Sequence, residues 1–599
     1  MSTIEIDAEG QVGFDGLDPG IVADIQKFER VLARYLAEEI DEDVFKVFRL
    51  ANGVYGQRQG GHNQMIRIKA PYGAINAEQL DTLADISERY SRGWGHLTTR
   101  QNVQLHFVQL EAVPDLLWEL ASVGLTTREA CSDTVRNVMG CHLAGACPHE
   151  VLDIQPWAEA TFRHFLRNPI SQRLPRKFKI NFSGCVTDCG QAMFNDVGVV
   201  AVSRTLEDGT VEAGFRVFVA GGLGANPHPA LALEEFTTRE ELLPTIEACV
   251  RVFEQAGNRD NKLRARMKWL VDELGFEELQ RRILASRKFL LASSSWPGGI
   301  PAQVREAGDA PAGKGTGEVT AMGHGVPVFL SGISAYDRWA QANVVRGVAK
   351  GTVSALAWSR LGDVTAAQFR GMATLVRDLD VEIRITNRQN FVLRGLTEEQ
   401  LPELYGRLEA LGMAQAGAEL ARDVVACPGA DTCNLAVTQS RGLASAIGEA
   451  LEAAGLGEVD GVRTNISGCT NSCGQHHISD IGFFGAERRA HGRSAPGYQM
   501  LLGGYIGNEQ AEFGQKALRL PAKAAPEATV RVVSRYAADR EYGETFGSWL
   551  QRAGGPKEVA TWLADLDEFP DPATNEDFYV DFGETGPYEK AIGESECAA

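Results

Sequence analysis

Four cysteines in the last third of the chain have the residue type and spacing for metal chemistry. Cys427 and Cys433 form a C-x5-C pair, and Cys469 and Cys473 a C-x3-C pair, with 35 residues between the pairs. Four thiolates gathered from two loops can hold one iron–sulfur cubane. Zinc knuckles favour C-x2-C to C-x4-C on both arms, so the five-residue arm points away from zinc. A bland alternative, four buried structural thiols, leaves the regular spacing unexplained. On a helical turn the Cys469/Cys473 spacing would put both sulfurs on one face.

The same pattern stands in the first half. Cys141 and Cys147 form C-x5-C, Cys185 and Cys189 form C-x3-C, and 37 residues separate them. Leading into Cys185, Lys177, Lys179 and Asn181 alternate with Phe178, Ile180 and Phe182. A strand would aim both ammoniums to one side, about 6.7 Å apart along the backbone. On a bare surface two lysines would be a solvated face. Running into a cysteine pair, they suggest a cationic pocket. Arg67 and Lys69 share one face of an alternating stretch from Gln64 to Ala70, and Arg136 precedes Cys141. The stretch from Gly95 to Phe107 predicts a strand with Thr98, Arg100, Asn102 and Gln104 on one face.

The elements that must position these groups come in two copies. Thr99-Arg-Gln-Asn102 answers Asn387-Arg-Gln-Asn390, 288 residues on. Cys141 answers Cys427 at 286, and Asn181 to Cys185 answers Asn465 to Cys469 at 284. Asp196-Val-Gly198 answers Asp480-Ile-Gly482, and Gly73 to Leu80 answers Gly362 to Phe369. A slowly drifting offset over so many anchors indicates an internal duplication. Apolar periodicity predicts helices over 27–40, 76–91 and 113–122, which with the strands gives a β-α-β-α half of a ferredoxin-like sheet. The expected division is an N-terminal arm and helix (1–44), a ferredoxin-like half-domain (45–125), an α/β domain (126–292), a Ser/Gly/Pro/Ala-rich linker (293–320), a second half-domain (321–415), a second α/β domain (416–550) and a tail (551–599). The fold class is thus a duplicated α+β and α/β protein. The acidic, aromatic tail around Phe578–Phe582 has no reading from sequence alone.

Composition narrows the classes. Hydrophobic content of 44% with 23% charged residues is that of an ordinary globular protein. A net charge of −20 argues against a general nucleic-acid binder, though not against a local basic pocket. Eleven cysteines in 599 residues do not suggest a disulfide scaffold. The start has neither a basic flank nor an apolar core, and no run is long enough to span a bilayer, so a cytoplasmic protein is expected. Gly221-Gly-Leu-Gly224 is a weak dinucleotide signal because it falls in a duplicated loop.

The repeat, both cysteine pairs and the strand Leu174-Pro-Arg-Lys-Phe-Lys179 together resemble the sirohaem-dependent sulfite and nitrite reductases, over roughly residues 45–550. The resemblance implies two paired ferredoxin-like half-domains and two α/β domains enclosing sirohaem and a [4Fe–4S] cluster. It implies Cys427, Cys433, Cys469 and Cys473 as cluster ligands, with Cys473 bridging to the sirohaem iron. Arg100, Gln104 and Asn471 match sirohaem contacts, and Arg67, Arg136, Lys177 and Lys179 match the quartet that binds the anion. It further implies a small oxyanion as substrate and a separate ferredoxin or flavoprotein as electron donor. Sulfite reductases of the family have lysine at the Lys179 position, where plant-type nitrite reductases have asparagine, so sulfite is the expected substrate and nitrite the alternative. A relay without catalysis would have no need of the cationic quartet, and a zinc-stapled protein would be colourless. Two departures stand out. His96 replaces an arginine usual four residues before the Arg100 position. The first half keeps all four thiols, Cys141, Cys147, Cys185 and Cys189, where relatives usually have no cluster. They are expected to be either inherited buried thiols or a second cluster.

Overall fold

The computed structural model describes residues 16–293, 333–347, 351–508, 510–591 and 593, together with the backbone of a short strand pair, Glu5–Ile6 and Val12–Gly13. The expected linker falls, apart from its first residue, outside the described residues.

Two five-stranded antiparallel sheets form the centre. One runs Asp363–Thr365, Trp94–Leu97, Val103–Gln109, Asn63–Ile68, Val54–Gly56; the other runs Val344–Arg346, Thr352–Ala357, Phe391–Thr397, Glu382–Ile385, Ala74–Ile75. Each half lends one strand to the other's sheet: Ala74–Ile75 pairs with Glu382–Ile385, and Asp363–Thr365 pairs with Trp94–Leu97. The exchange explains why the two halves share a single core, in which Ile66, Leu97 and Leu105 lie with Phe369, Ile383 and Phe391. After each exchanged strand a helix begins with the same capping box, Asn76 with Gln79 in Ala77–Tyr90 and Thr365 with Gln368 in Ala366–Leu379. Those two glutamines were visible in the repeat; satisfying free helical N–H groups is the reason they recur.

Each half then adds a mixed sheet. Met139–Gly140, Ile180–Ser183 and Val197–Thr205 run parallel, and Val211–Val219 returns antiparallel. Val425–Ala426, Thr464–Ser467, Ile481–Ala490 and Arg493–Leu502 repeat this order. Helices such as Leu242–Ala256 and Ser440–Ala453 cover these sheets and bury separate cores. The duplicated α+β and α/β architecture read from sequence is the one observed.

Two local expectations are corrected. Gly95 to Phe107 is not one strand. It is a hairpin of Trp94–Leu97 and Val103–Gln109, with Arg100 at the turn. The Thr98 hydroxyl accepts from Arg100 N and Asn102 N at 3.2 and 3.1 Å, and Gln101 takes a left-handed φ of 56°. A threonine side chain thus builds the turn without glycine or proline. Cys469 and Cys473 do not lie on a helix either. They sit in irregular turns, with left-handed φ at Ser472 (57°) and Gln475 (63°).

Candidate active site

The C-x3-C loops have one construction in both halves. The Ser467 hydroxyl accepts from Gly474 N at 3.0 Å, and Ser183 from Gly190 N at 3.1 Å. Glycine is required at the fold-back: a Cβ would lie 2.0 Å from the Ile466 carbonyl at Gly474 and 1.9 Å from that of Phe182 at Gly190. The loop is pinned to the opposite half. Thr99 Oγ1 donates to the Cys473 carbonyl at 2.9 Å, and Asn387 Nδ2 to that of Cys189 at 2.6 Å.

In the second half, Cys427, Cys433 and Cys469 are partly buried and Cys473 is exposed. Gly468 N donates to Cys427 Sγ at 3.3 Å. Burial, then the proximity of Cys473, pushes the Cys427 thiol up. Burial, then Cys473, Cys427 and Cys433, pushes up Cys469, against a hydrogen bond from Asn471 N–H. Cys469 therefore lies within electrostatic reach of the other three thiols, ionisation of Cys427 and Cys469 as free thiols is disfavoured, and a cationic iron cluster would reverse that balance. Among the described residues no three His, Cys, Asp or Glu side chains converge closely enough to hold a single metal ion. Single-ion zinc requires such convergence; a cubane spreads its ligands over four corners.

Beside Cys473, at the hairpin turn after Thr99, lies Arg100. Its Nη2 donates to the Asn137 carbonyl at 2.7 Å and its Nη1 reaches Asn181 Oδ1 at 3.4 Å, while Nε is buried with no acceptor among the described residues. Burial, reinforced by Arg136, Arg266 and Arg67 and opposed by Asp196, brings Arg100 down to about 9. Lys179 is pulled well below the usual lysine range by burial, then by Arg100, Arg266 and Lys177. Arg67, Arg100, Arg136, Lys177 and Lys179 thus gather at one place.

Each of these cations is held by its own supports. Arg136 donates from Nε to the Ser132 carbonyl at 2.9 Å and from Nη1 to that of Ala130 at 3.0 Å. Arg67 donates to the Tyr55 hydroxyl at 2.6 Å and, with the Gln104 amide oxygen turned toward it, to Gln104 at 2.6 and 2.9 Å. Gln104 therefore orients Arg67. Lys177 and Lys179 lie just before the strand Ile180–Ser183, and the alternation persists there because Phe178 and Ile180 are buried. Lys69 is paired instead: it is buried 3.7 Å from Glu129, with Arg136 within electrostatic reach, and brought down to about 8, chiefly by burial. Asn471 is exposed beside Cys469.

Sequence reasoning missed the group that sets the lysine strand. Asp196 is fully buried; it accepts from Lys179 N at 2.9 Å and from Arg266 Nη2 at 2.8 Å. Its counterpart Asp480 accepts from Arg463 N at 2.9 Å. The repeated Asp-x-Gly was the signal. His96 is 1% exposed, with Nδ1 3.0 Å from Asp363 and Nε2 3.0 Å from Gln389 Nε2. Burial, then Arg441 and Arg67, brings it down to about 3, so it is neutral and engaged at the joint between the halves. His476 and His477 are packed and likewise pulled down, mainly by burial, and His477 contacts the Gly224 carbonyl at 2.9 Å. The Gly221–Gly224 loop is thus built into the interior.

A cationic excess around Arg100, next to two loops that bring four thiols to one neighbourhood, fits a polycarboxylate haem linked to an iron–sulfur cluster. Comparison with known proteins agrees. The nitrite and sulphite reductase 4Fe–4S domain matches residues 131–288 and 417–561, and the nitrite/sulfite reductase ferredoxin-like half domain matches 55–123 and 353–411. The chain belongs to the nitrite and sulphite reductase family, whose cofactors are sirohaem and a [4Fe–4S] cluster. It is 30% identical to an assimilatory ferredoxin-dependent nitrite reductase of Haloferax mediterranei, covering 86% of each chain. It is also 30% identical to a ferredoxin sulfite reductase of Mycobacterium tuberculosis, covering 88% of this chain and 92% of the relative. The solved structure of the Mycobacterium tuberculosis NirA protein superposes with a TM-score of 0.73 at 27% identity, over 90% of this chain and 95% of that one. No described helix is long and apolar enough to cross a membrane.

Proposed function

We propose that the chain reduces sulfite to sulfide, taking up six electrons and eight protons and releasing three waters. Cys427, Cys433, Cys469 and Cys473 would hold the [4Fe–4S] cluster, and Arg100, Gln104 and Asn471 would contact sirohaem beside Cys473. When bound, the two groups supply a substrate-binding iron and a relay for single electrons. Arg67, Arg136, Lys177 and Lys179 neutralise the oxyanion, and the lysines can donate protons as S–O bonds break. Electrons come from a separate ferredoxin or flavoprotein; the relatives' names carry ferredoxin.

The observation that carries the choice of sulfite is Lys179, set beside Arg100 and Lys177, where a bound anion restores an ammonium that burial and its neighbours disfavour. A dianion gains more from it than nitrite does. Nitrite reduction is the second reading, supported by the name of the Haloferax relative. Replacing Lys179 with Asn tests the choice. The ratio of kcat/KM for sulfite to that for nitrite should fall at least tenfold, and an unchanged ratio removes the argument.

A further inference from the structure

The first-half thiols are built like the second-half ones, down to the backbone. Cys141 N donates to the Phe182 carbonyl at 3.0 Å, as Cys427 N does to that of Ile466 at 3.2 Å. Asp188 and Gln191 take left-handed φ of 55° and 59°, matching Ser472 and Gln475. Cys141, Cys147 and Cys185 are 4 to 6% exposed. The Cys141 thiol is a close neighbour of Cys189, and Cys147 of Cys185, and Cys141 lies within electrostatic reach of all three others. A relic kept only for packing requires neither the turn geometry of the loop nor four sulfurs within reach of one another. Cys249, by contrast, is buried with Arg287 and Glu234 as its charged neighbours and no cysteine among the groups that shift it.

We propose that Cys141, Cys147, Cys185 and Cys189 bind a second [4Fe–4S] cluster. It carries no sirohaem. The groups answering to the cationic pocket are neutralised: Arg388, the counterpart of Arg100, pairs at 2.9 Å with Glu419, whose side chain is 8% exposed, and Arg463, the counterpart of Lys179, faces Asp480 at 3.6 Å. These lie against the first-half loops, with Arg463 near Cys189 and both Arg388 and Glu419 near His142. A polycarboxylate gains little from charges already paired in the interior.

The inference rests on the assignment of the second-half thiols to a cluster, but not on the substrate. The test is iron and acid-labile sulfide per sirohaem in the anaerobically purified holoenzyme. Two clusters give about nine irons and eight sulfides per sirohaem, and one gives about five and four. Cys147→Ser should lose about four irons while the haem absorption stays; Cys427→Ser should disturb the haem spectrum as well. About five irons in the unmodified protein, with the first-half cysteines recovered as thiols or disulfides, overturns the proposal. Iron lost from Cys427→Ser without any change in the haem spectrum would instead contradict the second-half assignment.

Discussion

Gln101 and Gln389 make the same three hydrogen bonds in the two halves of the chain. Gln101 Nε2 donates to the Gly140 and Ile385 carbonyls at 2.9 and 3.1 Å, and its Oε1 accepts from Gly140 N at 3.1 Å. Gln389 Nε2 donates to Leu97 and Ala426 at 2.9 and 3.1 Å, and its Oε1 accepts from Ala426 N at 3.1 Å. Each glutamine therefore clamps the residue just before the first cysteine of a thiol set, Cys141 or Cys427, to a strand of the other half. Gln389→Ala should lower stability by about 2–4 kcal/mol, since buried backbone groups are left unsatisfied. Denaturant unfolding and the rate of cluster loss would both register it, and a neutral result would mean that the clamp is dispensable.

The depressed Lys179 makes anion binding a protonation event. Burial and neighbouring positive charge disfavour its ammonium in the free protein, and a bound anion restores it. Binding therefore takes up protons, and affinity falls as pH rises through the range where the free lysine is neutral and the bound one charged. Calorimetry of sulfite binding in buffers of different ionisation enthalpy should show this uptake, and Lys179→Asn should reduce it.

Arg100 is expected to matter through the haem more than through the fold. Arg100→Leu removes a charge whose Nε has no acceptor among the described residues, from a place crowded with cations. The variant should be at least as stable without cofactor, yet bind sirohaem at least tenfold less well in reconstitution. Undiminished haem content would contradict the placing of sirohaem at this turn.

The tail gains a role from its contacts. Gln439 N donates to Asp581 Oδ2 at 2.9 Å, Tyr588 OH to the Val437 carbonyl at 3.0 Å, and Gly593 N to that of Asn434 at 2.9 Å. From the other side Arg58 N donates to the Thr432 carbonyl at 3.1 Å, and its Nη1 to that of Ala436 at 3.2 Å. Together they cover the loop that carries Cys433. Truncation before Asp581 should speed oxidative loss of the second-half cluster about tenfold or more, followed by decay of visible absorption in air. An unchanged rate would show that the loop holds without its cover.

Long-range architecture was legible because duplication writes it twice. The Arg-Gln-Asn, Cys and Asp-x-Gly anchors recur at nearly constant offset, and the sheets follow them. Local geometry was less legible where side chains replace the usual turn formers. Thr98 folds its hydroxyl over two N–H groups, so a stretch rich in β-prone residues bends without glycine or proline. Cys469 and Cys473 have helical spacing, but Gly468 and Gly474 and the left-handed Ser472 and Gln475 set a different turn. The supports of the site were hidden for another reason. Asp196 meets Arg266, 70 residues away, and Arg58 meets Ala591, 533 residues away, pairings that no local pattern records.

The most direct test of the central claim is steady-state turnover with a chemical one-electron donor, comparing kcat/KM for sulfite and nitrite and identifying the product. The charge gathered at Lys177 and Lys179 predicts a clear advantage for sulfite, with sulfide formed. A strong advantage for nitrite, with ammonia formed, would contradict the assignment of sulfite while leaving the family and its fold in place.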